Sequence, residues 1–217
     1  MQDRLSRSVD LYRLDRKFGI STRRTDVTHK GDENQGYMGT NPKHFAAMLH
    51  ELPIDRATFS FVDLGCGKGT ALFLAAEAGF RRVIGVELVP GLLEAARDNV
   101  WAFEARDPSR AARIELVQHD AGTYELPSEP TVLFLFNPFG PETLRKVVSK
   151  IEAWLTTQRH SIYVLYQYIP DVATEILAES EALQLMHSVP VWSIYRNVEF
   201  SPPQGRPRQD SNLRPSD

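Results

Sequence analysis

The sequence has a single cysteine, Cys66, so no disulfide can form within the chain. It has no uninterrupted apolar run long enough to cross a bilayer, and no membrane partner is expected. The opening stretch MQDRLSRSVDLYRLDRKFGI lacks the apolar core of a secretory signal, which makes a cytoplasmic location the expectation. A large excess of one charge is missing too. The net charge of −3 argues against a polyanion binder by overall composition. The histidines (His29, His44, His50, His119, His160, His187) form no HxxxH or HxH spacing, so no metal site is expected. No internal repeat is evident.

What is present is the material of one α/β domain. A chain of 217 residues with a 42% apolar share can build one full core and is short for two. Residues 1 to 30 carry Arg4, Arg7, Arg13, Arg16, Lys17, Arg23, Arg24 and Lys30 against four Asp. Such a run is expected to be a solvated helix face beside Leu11, Leu14 and Phe18, the alternative being a patch for an acidic substrate or nucleic acid. YMGTNPKHFAAMLHEL then predicts a loop and a helix starting near Pro42, capped by Asn41 or Thr40.

From Phe59 onward, strand-like and helix-like stretches alternate. VDLG leads to a helix over 70 to 79, RVIGVEL reads as a second strand, and PGLLEAARDNVWAFEARD as a helix opened by Pro90. IELVQHDA, TVLFLFNPF and SIYVLYQY follow as strands, with PETLRKVVSKIEAWLTTQ a helix between the last two. DVATEILAESEA makes one more helix, and LQLMHSV and WSIYRNVEF a closing pair of strands, seven in all. Near-continuous apolar strands imply a mostly parallel sheet covered on both faces. The tail over 201 to 217 has no apolar periodicity and is expected to be disordered.

The chemistry concentrates in FVDLGCGKGT, residues 61 to 70, where Gly65, Gly67 and Gly69 follow a buried strand and precede a helix. Dinucleotide-binding loops want glycines at i, i+2 and i+5. Here the last of those positions is Thr70, and glycine falls at i+4 instead. With Asp63 two residues before the first glycine, the run resembles motif I of the class I S-adenosylmethionine (SAM) methyltransferases.

That resemblance covers residues 58 to 200 and implies a three-layer α/β/α Rossmann-like sandwich whose last strand runs antiparallel. Residues 1 to 57 would form a helical and loop segment over the site. It further implies SAM as cofactor, with S-adenosylhomocysteine as product and no metal. Asp63, Gly65, Cys66, Gly67 and Gly69 would form the methionine end of the site. Glu87, followed by Leu88, would bind the ribose hydroxyls, and Asp120 with Ala121 the adenine. Cys66 and Lys68 read as loop spacers, and His119 as a structural residue facing away from Asp120.

FNPFG at 136 to 140 resembles the Asn/Asp-Pro-Pro-aromatic motif of amino-methylating enzymes, with one proline fewer and Phe at the final aromatic position. Asn137, Pro138 and Phe139 are the catalytic candidates: the Asn orients an acceptor N–H and the ring tolerates a developing cation. A second similarity, to the core of non-SET histone lysine methyltransferases and their bacterial relatives, rests on the glycine loop, GVE at 85 to 87, Asn137 with Phe139, and the segment from Tyr37 to Thr40. Tyr37 and Thr40 are accordingly candidate acceptor contacts. The acceptor itself, protein, nucleic acid or small molecule, stays open, an amine nitrogen being favoured. The alternatives are an NAD(P)-dependent Rossmann oxidoreductase, which Glu87 would also suit, and a non-catalytic SAM-binding protein.

Overall fold

The computed structural model describes residues 2–22, 38–168 and 170–198. Tyr37 and the tail over 201 to 217 lie outside the described residues. Among those described, the strands are β1 (Ser60–Leu64), β2 (Arg82–Glu87), β3 (Ile114–Gln118), β4 (Thr131–Leu135), β5 (Ile162–Gln167), β6 (Leu183–Val189) and β7 (Trp192–Asn197). They form one sheet in the order β3-β2-β1-β4-β5-β7-β6. β1 to β5 pair in parallel, and β7 lies antiparallel between β5 and β6.

Every residue of β1, β4 and β5 is buried, as strands covered on both faces must be. Alternation splits their side chains between two cores. Phe61, Val83, Phe134 and Leu165 face a layer made by α1 (Gln2–Phe18), α2 (Pro42–His50) and α3 (Thr70–Ala78), joined by Phe103 of α4 (Pro90–Glu104). Val62, Ile84, Leu133 and Val164 face α6 (Pro141–Thr157) and α7 (Asp171–Ala178). This is the expected three-layer sandwich with its antiparallel strand near one edge.

Proline marks the helix starts because its fixed φ suits the first turn and its missing N–H has no partner there anyway. It opens α2, α4, α6 and the short α5 (Pro108–Ala111). Asn41 caps α2, its side chain accepting from the Lys43 N–H at 3.0 Å. α4 ends at Glu104, short of the expected Asp107, because Asp107 instead caps α5 through the Arg110 N–H at 3.1 Å. β4 ends at Leu135, before the expected Phe139, because Asn137 takes a left-handed φ of 40° that no strand accommodates.

α1 buries Leu11, Leu14 and Phe18 and exposes Arg13, Arg16 and Lys17, the last ion-paired with Glu77. The ring of Phe18 meets Phe103 at 5.3 Å and Phe73 at 6.3 Å. No helix of the described residues is long and apolar enough to cross a membrane.

The chain leaves β1 toward β2 and β3 on one side and returns at β4 toward β5 on the other. Such a reversal opens a crevice at the carboxyl ends of the adjacent β1 and β4, where open α/β sheets take ligands.

Candidate functional site

A cavity of about 310 Å³ occupies this crevice. The glycine loop forms its floor. Several loop amides are engaged within the protein: the N–H groups of Gly65 and Cys66 donate to the Val86 carbonyl at 2.8 and 3.0 Å, and that of Gly69 to the Cys66 carbonyl at 2.9 Å. The Gly67 N–H donates to Glu87 Oε2 at 2.8 Å. Gly65 has φ 83°, and a Cβ there would lie 2.6 Å from the Pro138 Cβ, so glycine lets the loop abut the Asn137-Pro138 corner.

Close helix-to-strand packing, the task of the third glycine in dinucleotide loops, falls here to Gly85 of β2. A Cβ on it would meet Leu72 of α3 at 2.6 Å and the Cys66 sulfur at 2.8 Å. Gly69 is not among the cavity-lining residues; it sits at φ 87° at the N-cap of α3.

From behind, the loop is tied to α1 and α4. Asn99 of α4 donates to the Lys68 carbonyl at 3.0 Å and to the Ser21 carbonyl at 3.3 Å, and accepts from the Ser21 N–H at 2.8 Å. The Lys68 ammonium is buried toward the same side. Its burial lowers its pKa, and the nearby Asp15 carboxylate partly opposes that shift. The loop spacer is therefore an anchor.

Three carboxylates line the cavity, those of Asp63, Glu87 and Asp120, with no Lys or Arg among the described lining residues. Glu87, buried at the end of β2, accepts from Gly67 with one oxygen and from the Val89 N–H at 2.9 Å with the other. Burial first, and the Glu87 charge second, raise the pKa of Asp63 well above the usual carboxylate range. Burial pushes the Cys66 thiol up as well, helped by both carboxylates, so it is held protonated and is a poor nucleophile. Asp120 also builds a turn: Oδ1 accepts from the Gly122 N–H at 2.7 Å and its carbonyl from the Thr123 N–H at 3.1 Å.

His119 lines the cavity beside Asp120, contrary to the expectation that it faces away. Strand alternation does not reach it, because β3 ends at Gln118. Its Nδ1 lies 2.9 Å from the Asp120 carbonyl, which can only accept, so Nδ1 carries the proton. Leu88 and Ala121 also line the cavity, as do Thr40, Met38 and Gly39 from the segment ahead of α2.

The other end of the cavity is uncharged and rich in rings. Phe136, Asn137, Pro138 and Phe139 follow β4, and Tyr168 follows β5. Phe139 belongs to the α6-side core. The rings of Phe136 and Tyr168 stack at 5.4 Å and 29°. Asn137 and Tyr168 are the non-glycine residues with positive φ among those described, at 40° and 54°. Sequence reasoning overlooked Phe136, Thr143 and Tyr168. The carboxyl end of the fifth predicted strand was the signal for Tyr168, since ligands collect at strand ends in such sheets.

A family model described as a methyltransferase domain matches residues 61–158. The chain is 31% identical over 144 residues to the H3 lysine-79 specific histone-lysine N-methyltransferase of Dictyostelium discoideum, spanning 62% of this chain and 8% of that protein. It is 36% identical over 61 residues to the ribosomal protein L11 methyltransferase of Tolumonas auensis, 28% of this chain and 21% of the other. The chain thus spans a small part of the curated relatives it matches. The solved precorrin-6y C5,15-methyltransferase of Geobacter metallireducens shares the fold, with a TM-score of 0.53 at 16% identity over 84% of this chain and 98% of that one.

Proposed function

We propose that the chain is a class I, Rossmann-like SAM-dependent methyltransferase that moves a methyl group from SAM to an amine nitrogen of its acceptor, a reading supported by the methyltransferase-domain match over residues 61–158. The observation that carries the cofactor assignment is the cavity lining: Asp63, Glu87 and Asp120 without a Lys or Arg among the described lining residues. Such a lining suits a ligand bearing a sulfonium and an ammonium. It suits the pyrophosphate of a nicotinamide dinucleotide poorly, because the Gly67 amide is spent on Glu87 and those of Gly65 and Cys66 on Val86.

When bound, SAM supplies a methyl carbon whose bond to sulfur breaks, the electron pair going to sulfur, as an acceptor nitrogen's lone pair forms the new bond. Asp63 would meet the ammonium of the methionine end and Glu87 the ribose. Glu87 keeps acceptor capacity after its two amide bonds, since a carboxylate offers about four lone-pair sites.

An amine acceptor is supported by Asn137, turned into the left-handed region at the cavity wall beside Phe136 and Phe139. Its amide oxygen would accept from the acceptor N–H and aim the nitrogen lone pair, while the rings tolerate the charge that develops on nitrogen. The surplus proton leaves to solvent. Relatives named for a histone lysine and for ribosomal protein L11 fit a protein amine as the acceptor class.

Tritiated-methyl transfer from SAM into fractionated lysate tests the reading. Label in an amine of a protein or small molecule is the expected result, reduced at least a hundredfold in Asn137→Ala, about the effect of losing one preorganised polar group, with SAM affinity retained. Label on oxygen or carbon contradicts the acceptor class. SAM binding without any transfer favours a binding-only protein.

A further inference from the structure

The aromatic end of the cavity is built at a cost that core packing does not explain. Tyr168 is bulky, yet it sits at φ 54°, a backbone conformation that strains such residues. Its N–H donates to the Val191 carbonyl at 2.8 Å, and its ring lies edge-on to His44 at 6.0 Å and face to face with Phe136 at 5.4 Å. Both Phe136 and Tyr168 are only half-buried, and both line the cavity. At this end they stand with Asn137, Pro138, Phe139 and Thr143, none of which carries a charge, whereas the carboxylates stand at the carboxyl ends of β1 to β3.

Taking SAM as the cofactor, as proposed above, we infer that the Phe136–Tyr168 pair is the wall that receives the head of an unbranched alkylammonium, with Tyr168 as the acceptor-positioning residue. An aromatic face attracts a cation more weakly than a buried carboxylate would, so the nitrogen gives up its proton to solvent before transfer more readily than it would beside a counter-charge. Positive charge grows on nitrogen as the N–C bond forms, so the same face favours the transition state over a neutral amine. A nucleobase acceptor would use the rings by flat stacking instead, and gains nothing from being a cation.

The test uses the full chain loaded with S-adenosylhomocysteine and titrated with n-butylammonium, with n-butanol as the uncharged probe of equal length, followed by NMR shift perturbation. Butylammonium is expected to bind wild type saturably and Tyr168→Phe similarly, and to bind Tyr168→Asn about tenfold more weakly, the scale of a desolvated cation–π contact. Asn is chosen because it tolerates the left-handed backbone. Butanol affinity is expected to change far less, and S-adenosylhomocysteine affinity to report that the site is intact.

The inference is overturned if wild type does not bind butylammonium, if Tyr168→Asn binds it as well as wild type, or if butanol weakens equally. Should Tyr168→Asn fail to bind S-adenosylhomocysteine, Phe136→Leu carries the same expectation. Failure of wild type to bind S-adenosylhomocysteine would sink the SAM reading instead, so the two failures are distinguishable.

Discussion

Asp63 is buried beside Glu87 with no lysine or arginine lining the same cavity among the described residues, an arrangement that opposes folding. Its native pKa is raised, so the folded protein prefers the neutral acid. The stability linked to this group is fully present below the unfolded carboxylate pKa and is lost as pH rises through the raised native value. Asp63→Asn should therefore raise the melting temperature of the ligand-free protein at neutral pH and flatten its decline with rising pH. It should also weaken SAM roughly tenfold to a hundredfold, the worth of a charge-assisted hydrogen bond of about 1.5–3 kcal/mol. Thermal denaturation across pH with calorimetry at pH 7 checks both, and a variant no more stable than wild type would show that neither burial nor the Glu87 charge destabilises the fold through Asp63. The acids were legible in sequence because each stands at or just past the carboxyl end of a strand, Asp120 two residues beyond β3 rather than at its end, and the glycine loop fixes which strand comes first. His119 and Tyr168 were not. The first depends on where β3 stops, and the second on β5 lying next to β4, a fact of strand order that no local pattern encodes.

At the scale of elements, the sheet and its proline-opened helices could be read directly, since strands buried on both faces are apolar throughout and proline has few permitted helix positions. The link between α1 and the cofactor loop could not. It runs through Asn99, an unremarkable polar residue inside a helical sequence, which bonds Ser21 after α1 and the carbonyl of Lys68. Asn99→Ala leaves the buried ends of these bonds unmet and should cost about 1–3 kcal/mol of stability. Because one of those ends is the glycine loop, SAM affinity should fall severalfold as well. Urea unfolding and calorimetry read the two effects. A loss of stability with unchanged SAM affinity would mean that the loop holds its shape without α1 and α4.

For the molecule as a whole, the sheet order sets the crevice, and on the proposed function the carboxylates lining it select a cationic ligand and its aromatic end an amine acceptor. The fold alone does not separate SAM from a nicotinamide dinucleotide, since both occupy the switch point of a doubly wound sheet. The separation rests on loop amides already engaged by Val86 and Glu87 and on the absence of a cationic side chain among the described cavity residues. Sequence carried a hint of this in Thr70, which stands where a dinucleotide loop has its third glycine, while the structure supplied the reason in the packing at Gly85. Isothermal titration calorimetry of the purified chain with SAM and with NAD, under one buffer, addresses this claim most directly. Saturable SAM binding with no NAD heat is the predicted result, and saturable NAD binding without SAM binding would contradict it.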